Sequence, residues 1–227
     1  MKIKIAVATA MIAMVACNPA EKKEPATSTT PSEKATETRP DLVQLGMKES
    51  SDPHGLMVGD RVPAITYTTA SDDEMKLEDL YRDQPLVVIF YRGYWCPACS
   101  KHLSEFAERA VEIEDAGAKI VAITPESYGN VDTTIARTGI EFTVISDVDG
   151  TLMKVFDVQF DVTEDYQSKV EKNYGTSLTE NSATQDAVLP VPATFIIDTT
   201  GVVVYRQFNP DYKKRASMDE ILSNLPD

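Results

Sequence analysis

The stretch Leu86-Val87-Val88-Ile89-Phe90-Tyr91-Arg92-Gly93-Tyr94-Trp95-Cys96-Pro97-Ala98-Cys99 decides the fold. Its first part, Leu86 to Tyr91, is an unbroken run of aliphatic and aromatic residues. Such a run predicts a central strand covered on both faces. Its second part sets two cysteines ahead of a helical pattern in which Leu103, Phe106, Ala107, Ala110 and Val111 recur on one face and Gly117 ends the period. A strand that enters a Cys-x-x-Cys turn and continues as a helix has chemical consequences. Cys96 falls at the helix start, where unpaired backbone N–H groups and the helix dipole favour a thiolate. Cys99 lies one turn further in, near enough to close a small disulfide. The first sulfur is expected to be exposed and nucleophilic and the second shielded, the asymmetry that thiol–disulfide chemistry needs.

Working outward, Ile120 to Ile123 predicts a second buried strand and Phe142 to Ile145 a short third. Phe195 to Asp198 and Val202 to Tyr205 predict two strands joined through Thr199-Thr200-Gly201. A last helix starts near Ser217 and carries Ile221 and Leu225. This order predicts an α/β fold with a central mixed sheet and helices on both faces. Between Val158 and Leu189 lies an insertion. Tyr166, Val170 and Tyr174 stand four residues apart and predict a helix, and Thr176 to Asp186 reads as a polar loop, a length that points to function or mobility.

Composition bounds the function. The 227 residues are 42% hydrophobic and 7% aromatic, as in a globular domain with an ordinary core. The net charge of -14 argues against nucleic acid as a partner, because phosphate contacts need a basic face. Three cysteines are too few for a disulfide scaffold. Residues 1–17 have a short basic start at Lys2 and Lys4 and an apolar stretch too short to span a bilayer. Met14-Val15-Ala16-Cys17 resembles a bacterial lipobox. That resemblance implies cleavage before Cys17, lipid on Cys17, export and an anchor in the bacterial envelope, with Asn18 pointing to the outer membrane and its periplasmic face. Residues 18–55, rich in Pro, Thr, Ser, Glu and Lys, read as a disordered tether, with a short helical turn around Leu42 to Met47 near the domain. Residues 56–227 read as one redox domain.

Other uses of the cysteines fit less well. A zinc site would have only Cys96, Cys99 and His102, one ligand short. A c-type haem needs His directly after the second cysteine, where Ser100 stands. A structural disulfide across so small a loop would constrain little chain. Neither a cofactor nor a metal is expected.

Trp95-Cys96-Pro97-Ala98-Cys99 after a buried strand resembles the thioredoxin superfamily, and Val191-Pro192-Ala193-Thr194-Phe195 resembles its cis-proline strand. The resemblance implies a thioredoxin-like fold in which Pro192 packs on the cysteine pair and Val191 offers backbone groups to a substrate. Gly59-Asp60-Arg61-Val62-Pro63-Ala64, Leu77-Glu78-Asp79-Leu80, Ile123-Thr124-Pro125-Glu126-Ser127 and Ser146-Asp147-Val148-Asp149-Gly150 are similar to the alkyl hydroperoxide reductase and thiol-specific antioxidant family. Tyr91-Arg92-Gly93 and Asn209-Pro210-Asp211-Tyr212 resemble its peroxiredoxin-like branch. That family usually has a threonine or serine three residues before the reactive cysteine, where Gly93 stands, and an arginine where Pro192 stands. Arg92, four residues before Cys96, is the candidate compensating cation, with Trp95 beside it.

The resemblance implies a peroxidase in which Cys96 reduces a hydroperoxide, Cys99 resolves the product and an external thiol or thioredoxin-like reductant restores the pair. The alternative is a thiol–disulfide oxidoreductase acting on periplasmic protein disulfides, as anchored thioredoxins do. A non-enzymatic copper-binding protein of thioredoxin fold is a second alternative.

Overall fold

The computed structural model describes residues 41–69 and 73–226. In chain order the elements are β1 (Thr66–Thr68), β2 (Glu74–Lys76), α1 (Glu78–Tyr81), β3 (Leu86–Phe90), α2 (Pro97–Asp115), β4 (Lys119–Thr124), α3 (Tyr128–Thr138) and β5 (Thr143–Ser146). There follow α4 (Thr151–Val155), β6 (Gln159–Asp161), α5 (Glu164–Tyr174), α6 (Leu178–Asn181), β7 (Val188–Pro190), β8 (Ala193–Ile197), β9 (Val203–Phe208) and α7 (Met218–Ser223). The central sheet has five strands in the order β5-β4-β3-β8-β9. Strands β3, β4 and β5 run parallel, and β8 and β9 join antiparallel. This is the mixed sheet, with helices on both faces, of a thioredoxin-like fold.

Every residue of β3 is fully buried because both faces are covered. Val87, Ile89 and Tyr91 share one core with Leu103, Phe106 and Ile113 of α2 and Met218 and Ile221 of α7. Leu86, Val88 and Phe90 share the other with Leu77, Leu152, Phe156 and Phe195. Each such side chain contributes about 1.5–3 kcal/mol of burial. Val111 departs from the expected apolar face of α2 and is 59% exposed. It lies about 140° round the helix from the buried Phe106, whereas Ile113 lies about 20° from it and takes the inward position instead.

The insertion is more ordered than its polarity suggested. The expected helix is α5, and the expected loop contains α6. Strands β6 and β7, which flank them in the chain, pair antiparallel.

The folded unit also begins earlier than the tether boundary at residue 55. Leu42 to Leu45 form turns, and Met47 is buried and bridges to Val162. The Thr163 N–H donates to the Gly46 carbonyl at 2.9 Å, and Lys48 N–H donates to Asp161 at 2.9 Å. Enough apolar surface and backbone pairing is available there to order a segment whose composition alone resembles a linker. The expected signal peptide (residues 1–17, with Cys17) and residues 18–40 lie outside the described residues.

Candidate active site

The chain leaves β3 at Phe90 and reaches α2 through Tyr91 to Trp95. Gly93 has φ of +147°, and a Cβ there would lie 2.5 Å from Trp95 Nε1 and 2.7 Å from Glu126 Oε1. A threonine cannot occupy this position without displacing both.

Cys96 is the N-cap of α2 and Pro97 its first residue. Cys99 N–H donates to Cys96 Sγ at 3.3 Å, so the sulfur occupies the acceptor place usually held by a capping oxygen. The Arg92 guanidinium donates to the same sulfur from Nη2 at 3.1 Å. Two donors, one cationic and one at a helix N-terminus, therefore converge on Cys96.

The expectation that Cys96 is exposed does not hold. Cys96 is 0% and Cys99 1% exposed, both as free thiols. The insertion provides the cover. Arg92 Nη1 donates to Tyr166 Oη of α5 at 2.6 Å, and the Trp95 and Tyr174 rings lie 5.8 Å apart. Tyr94 Oη and Thr176 Oγ1 are 3.2 Å apart. From the other side, Tyr212 sets its ring 3.9 Å from the Arg92 guanidinium.

Burial and its neighbours set the ionisation of the pair. Burial pushes the Cys96 thiol up, helped by its hydrogen bond to Cys99 and by charge on Cys99, against the opposing pull of Arg92. Burial also raises Cys99, but the hydrogen bond from Cys96 and then Arg215 and Arg92 outweigh it and hold Cys99 low. One of the pair's two protons is thus lost more readily than the other, a property of the pair rather than of either residue alone.

Arg92 is 5% exposed and bonds to no carboxylate among the described residues. A buried cation needs an opposite charge. Here that charge is the cysteine pair, which also holds the guanidinium firmly protonated against the cost of burial. Its Nε is buried without a hydrogen-bond partner. Beside it lies a cavity of about 10 Å³ lined by Arg92, Trp95, Glu126 and Asn181 among others.

Glu126 is a site residue that the sequence reading did not single out. It is buried, accepts from Tyr94 N–H at 2.8 Å and from Thr134 Oγ1 at 3.1 Å, and burial pushes its carboxyl up to about 7. Tyr166, Tyr212 and Arg215 were also missed as site residues. Tyr166 and Tyr212 belong to patterns legible along the chain, but nothing in their spacing aims them at the cysteines. His102 is a strut: its Nε2 is 3.0 Å from the Ala216 carbonyl, and burial lowers its basicity.

The cis-proline expectation is corrected. Among the described residues every peptide bond is trans, that before Pro192 included. Val191 is fully buried and its N–H donates to the Val158 carbonyl at 2.7 Å. That bond, supplied by the segment entering β6, removes the N–H a substrate chain would have used.

The pattern of the AhpC/TSA family matches residues 58–206. The chain belongs to the AhpC/TSA family. A peroxiredoxin of Mycobacterium tuberculosis is 25% identical over 154 residues, 68% of this chain and 86% of that protein. Peroxiredoxin Bcp of Xanthomonas campestris is 34% identical over 73 residues, 32% of this chain and 46% of that one. Among solved structures, peroxidoxin BcpB of Mycobacterium tuberculosis superposes with a TM-score of 0.55 at 21% identity, over 74% of this chain and 96% of that one. PrxQ of Xylella fastidiosa gives 0.55 at 21% identity, over 75% and 95%. The AhpC/TSA chain is accordingly a peroxiredoxin-like, thiol-dependent oxidoreductase of the thioredoxin superfamily, and its fold is the peroxiredoxin one.

Proposed function

We propose that this AhpC/TSA protein reduces hydroperoxides through Cys96, with Cys99 as resolving cysteine. The observation that carries the reading is the convergence of the Arg92 guanidinium and the Cys99 N–H on a buried Cys96 sulfur. The Cys96 thiolate attacks one peroxide oxygen, the O–O bond breaks, and its electron pair leaves on the other oxygen, which takes a proton to become water or an alcohol. Cys96 becomes a sulfenic acid. The Cys99 thiol displaces its hydroxyl as water, closing the Cys96–Cys99 disulfide, and an external thiol donor restores both cysteines.

Arg92 serves the first step twice: it stabilises the attacking thiolate, and its unpaired Nε–H is a donor for the peroxide head. This supplies a cation that the family pattern places at the position of Pro192. The cover formed by Trp95, Tyr166 and Tyr174 favours a small substrate over a folded protein carrying a disulfide, and so favours the peroxidase over disulfide exchange.

The test is a stopped-flow reaction of the reduced protein with hydrogen peroxide, read by the fluorescence of Trp95, the only tryptophan. Oxidation orders of magnitude faster than a free thiol, abolished by Cys96→Ser and arrested before the disulfide by Cys99→Ser, is expected. An ordinary thiol rate alongside rapid reduction of insulin would overturn the peroxidase and leave disulfide exchange. The reading extends to an exported form anchored by lipid on Cys17; incorporation of labelled fatty acid that Cys17→Ser abolishes is the measurement.

A further inference from the structure

The second sulfur has a guanidinium of its own. Arg215 lies between β9 and α7, outside every motif. Its Nη2 donates to Cys99 Sγ at 3.4 Å and its Nε to the Tyr212 carbonyl at 2.6 Å. The next residue, Ala216, is pinned by its carbonyl to His102 on α2, one turn beyond Cys99. Arg215 is therefore held at the sulfur from the helix side as well as from its own loop. It forms no ion pair among the described residues. The charge opposite it is the Cys99 sulfur when ionised. One arginine thus serves each sulfur, Arg92 at Cys96 and Arg215 at Cys99.

We propose that Arg215 stabilises Cys99 as the leaving thiolate when the Cys96–Cys99 disulfide is reduced, and so directs an external dithiol onto Cys96. The proposal rests on the dithiol cycle above and deepens it. One donor thiolate attacks Cys96 Sγ. The S–S bond breaks, its electron pair stays on Cys99 beside Arg215, and the donor is joined to Cys96. The second donor thiolate then attacks the donor's own sulfur in that mixed disulfide. Cys96 leaves as a thiolate beside Arg92, and the donor departs as a disulfide. Two electrons pass from donor to protein, and the two donor protons go to the cysteines or to solvent. A sulfur whose thiolate is stabilised leaves faster, which makes its partner the point of attack. A guanidinium suits this role because it stays charged at every working pH.

The competing role for Arg215 is mechanical: tying the loop to the Tyr212 carbonyl. The experiment compares the full-length protein with Arg215→Gln and Arg215→Lys. Each is converted to the disulfide with diamide and reduced with dithiothreitol, with Trp95 fluorescence reading the rate. Equilibration in glutathione buffers reads the dithiol–disulfide balance. Arg215→Gln is expected to slow reduction about tenfold and to shift the balance about tenfold toward the disulfide, equivalent to about 30 mV. Arg215→Lys recovers most of both. With Cys96→Ser as background, Arg215→Gln raises the midpoint of Cys99 thiolate formation, which loop anchoring would not do. An unchanged rate and balance in Arg215→Gln overturns the proposal. So does a loss that lysine fails to rescue while the Cys99 midpoint stays in place. Diamide makes the disulfide without peroxide, so a protein inert to peroxide that still shows the Arg215 effect would refute the peroxidase and keep this inference.

Discussion

Arg92 Nη2 lies 3.1 Å from Cys96 Sγ, one strand-to-helix turn away, and the guanidinium is neutralised by sulfur rather than by carboxylate. Once Cys96 loses its proton, its thiolate is both nucleophile and counter-ion. Arg92→Met is expected to push thiolate formation at Cys96 to higher pH and to slow the peroxide reaction about 10²- to 10³-fold, the usual cost of one preorganised donor. Arg92→Lys recovers little, because lysine cannot serve Cys96 and Tyr166 together in one planar fork. Stopped-flow rates across a pH series measure both effects.

Cys99 makes Cys96 harder to ionise, through a hydrogen bond and through charge. Cys99→Ser removes the sulfur behind both effects while Arg92 stays. The Cys96 thiolate is therefore expected to form at lower pH in Cys99→Ser than in the parent. Thiolate absorbance during a pH titration reads the shift, and a shift upward would contradict the pairing of the two sulfurs.

Tyr166 transmits the insertion's hold on the site. Tyr166→Phe deletes its hydrogen bond to Arg92 and is expected to slow the peroxide step about 3- to 10-fold, in line with roughly 1 kcal/mol for such a bond. Gly46→Ala attacks the same ring from behind. Gly46 has φ of +94°, and a Cβ there would lie 2.4 Å from the Tyr166 ring. A loss of about 1–3 kcal/mol in denaturant melts is expected, together with a fall in rate.

Restoring the family's threonine should harm the protein. Gly93→Thr drives a branched side chain into Trp95 and Glu126 in a backbone conformation that suits glycine. We expect a loss of more than about 2 kcal/mol in denaturant melts and no gain in peroxide rate.

Stability should fall as pH rises through neutrality. Burial raises Glu126 to about 7 and Asp147 to about 6, so the folded state holds their protons where the unfolded chain has released them. The contribution of each is fully present below its ordinary carboxylate pKa and is lost as pH passes about 6 and then about 7, on the order of 3 kcal/mol for Glu126. Tm is expected to drop between about pH 5 and about pH 8, and Glu126→Gln to flatten that slope. Calorimetry across this range is the check.

Much of this arrangement was legible along the chain. The apolar run of β3, the Cys-x-x-Cys turn, the period of α2, the β8–β9 hairpin and the Tyr166-Val170-Tyr174 helix are local patterns, and each forms where its pattern stands. Arg92 was legible as a cation near Cys96 because only four residues separate them. Arg215, Glu126 and Tyr212 were not, since 116 residues separate Arg215 from Cys99 and 32 separate Glu126 from Tyr94. The early start of the fold at residues 41–47 was hidden for a related reason. A segment of tether-like composition becomes ordered only because β6 and α5 offer it partners.

The sequence by itself determined the family, the sheet, the two sulfurs and their place at a helix start, because hydrophobic period and turn chemistry act over a few residues. Only the tertiary structure decided that Cys96 is covered, that the Val191–Pro192 peptide is trans and the Val191 N–H consumed by Val158, and that each sulfur faces its own arginine. Those outcomes depend on which distant side chains share a buried volume. There, an unpaired buried charge costs more than any local preference, and the chain settles where each guanidinium faces a sulfur.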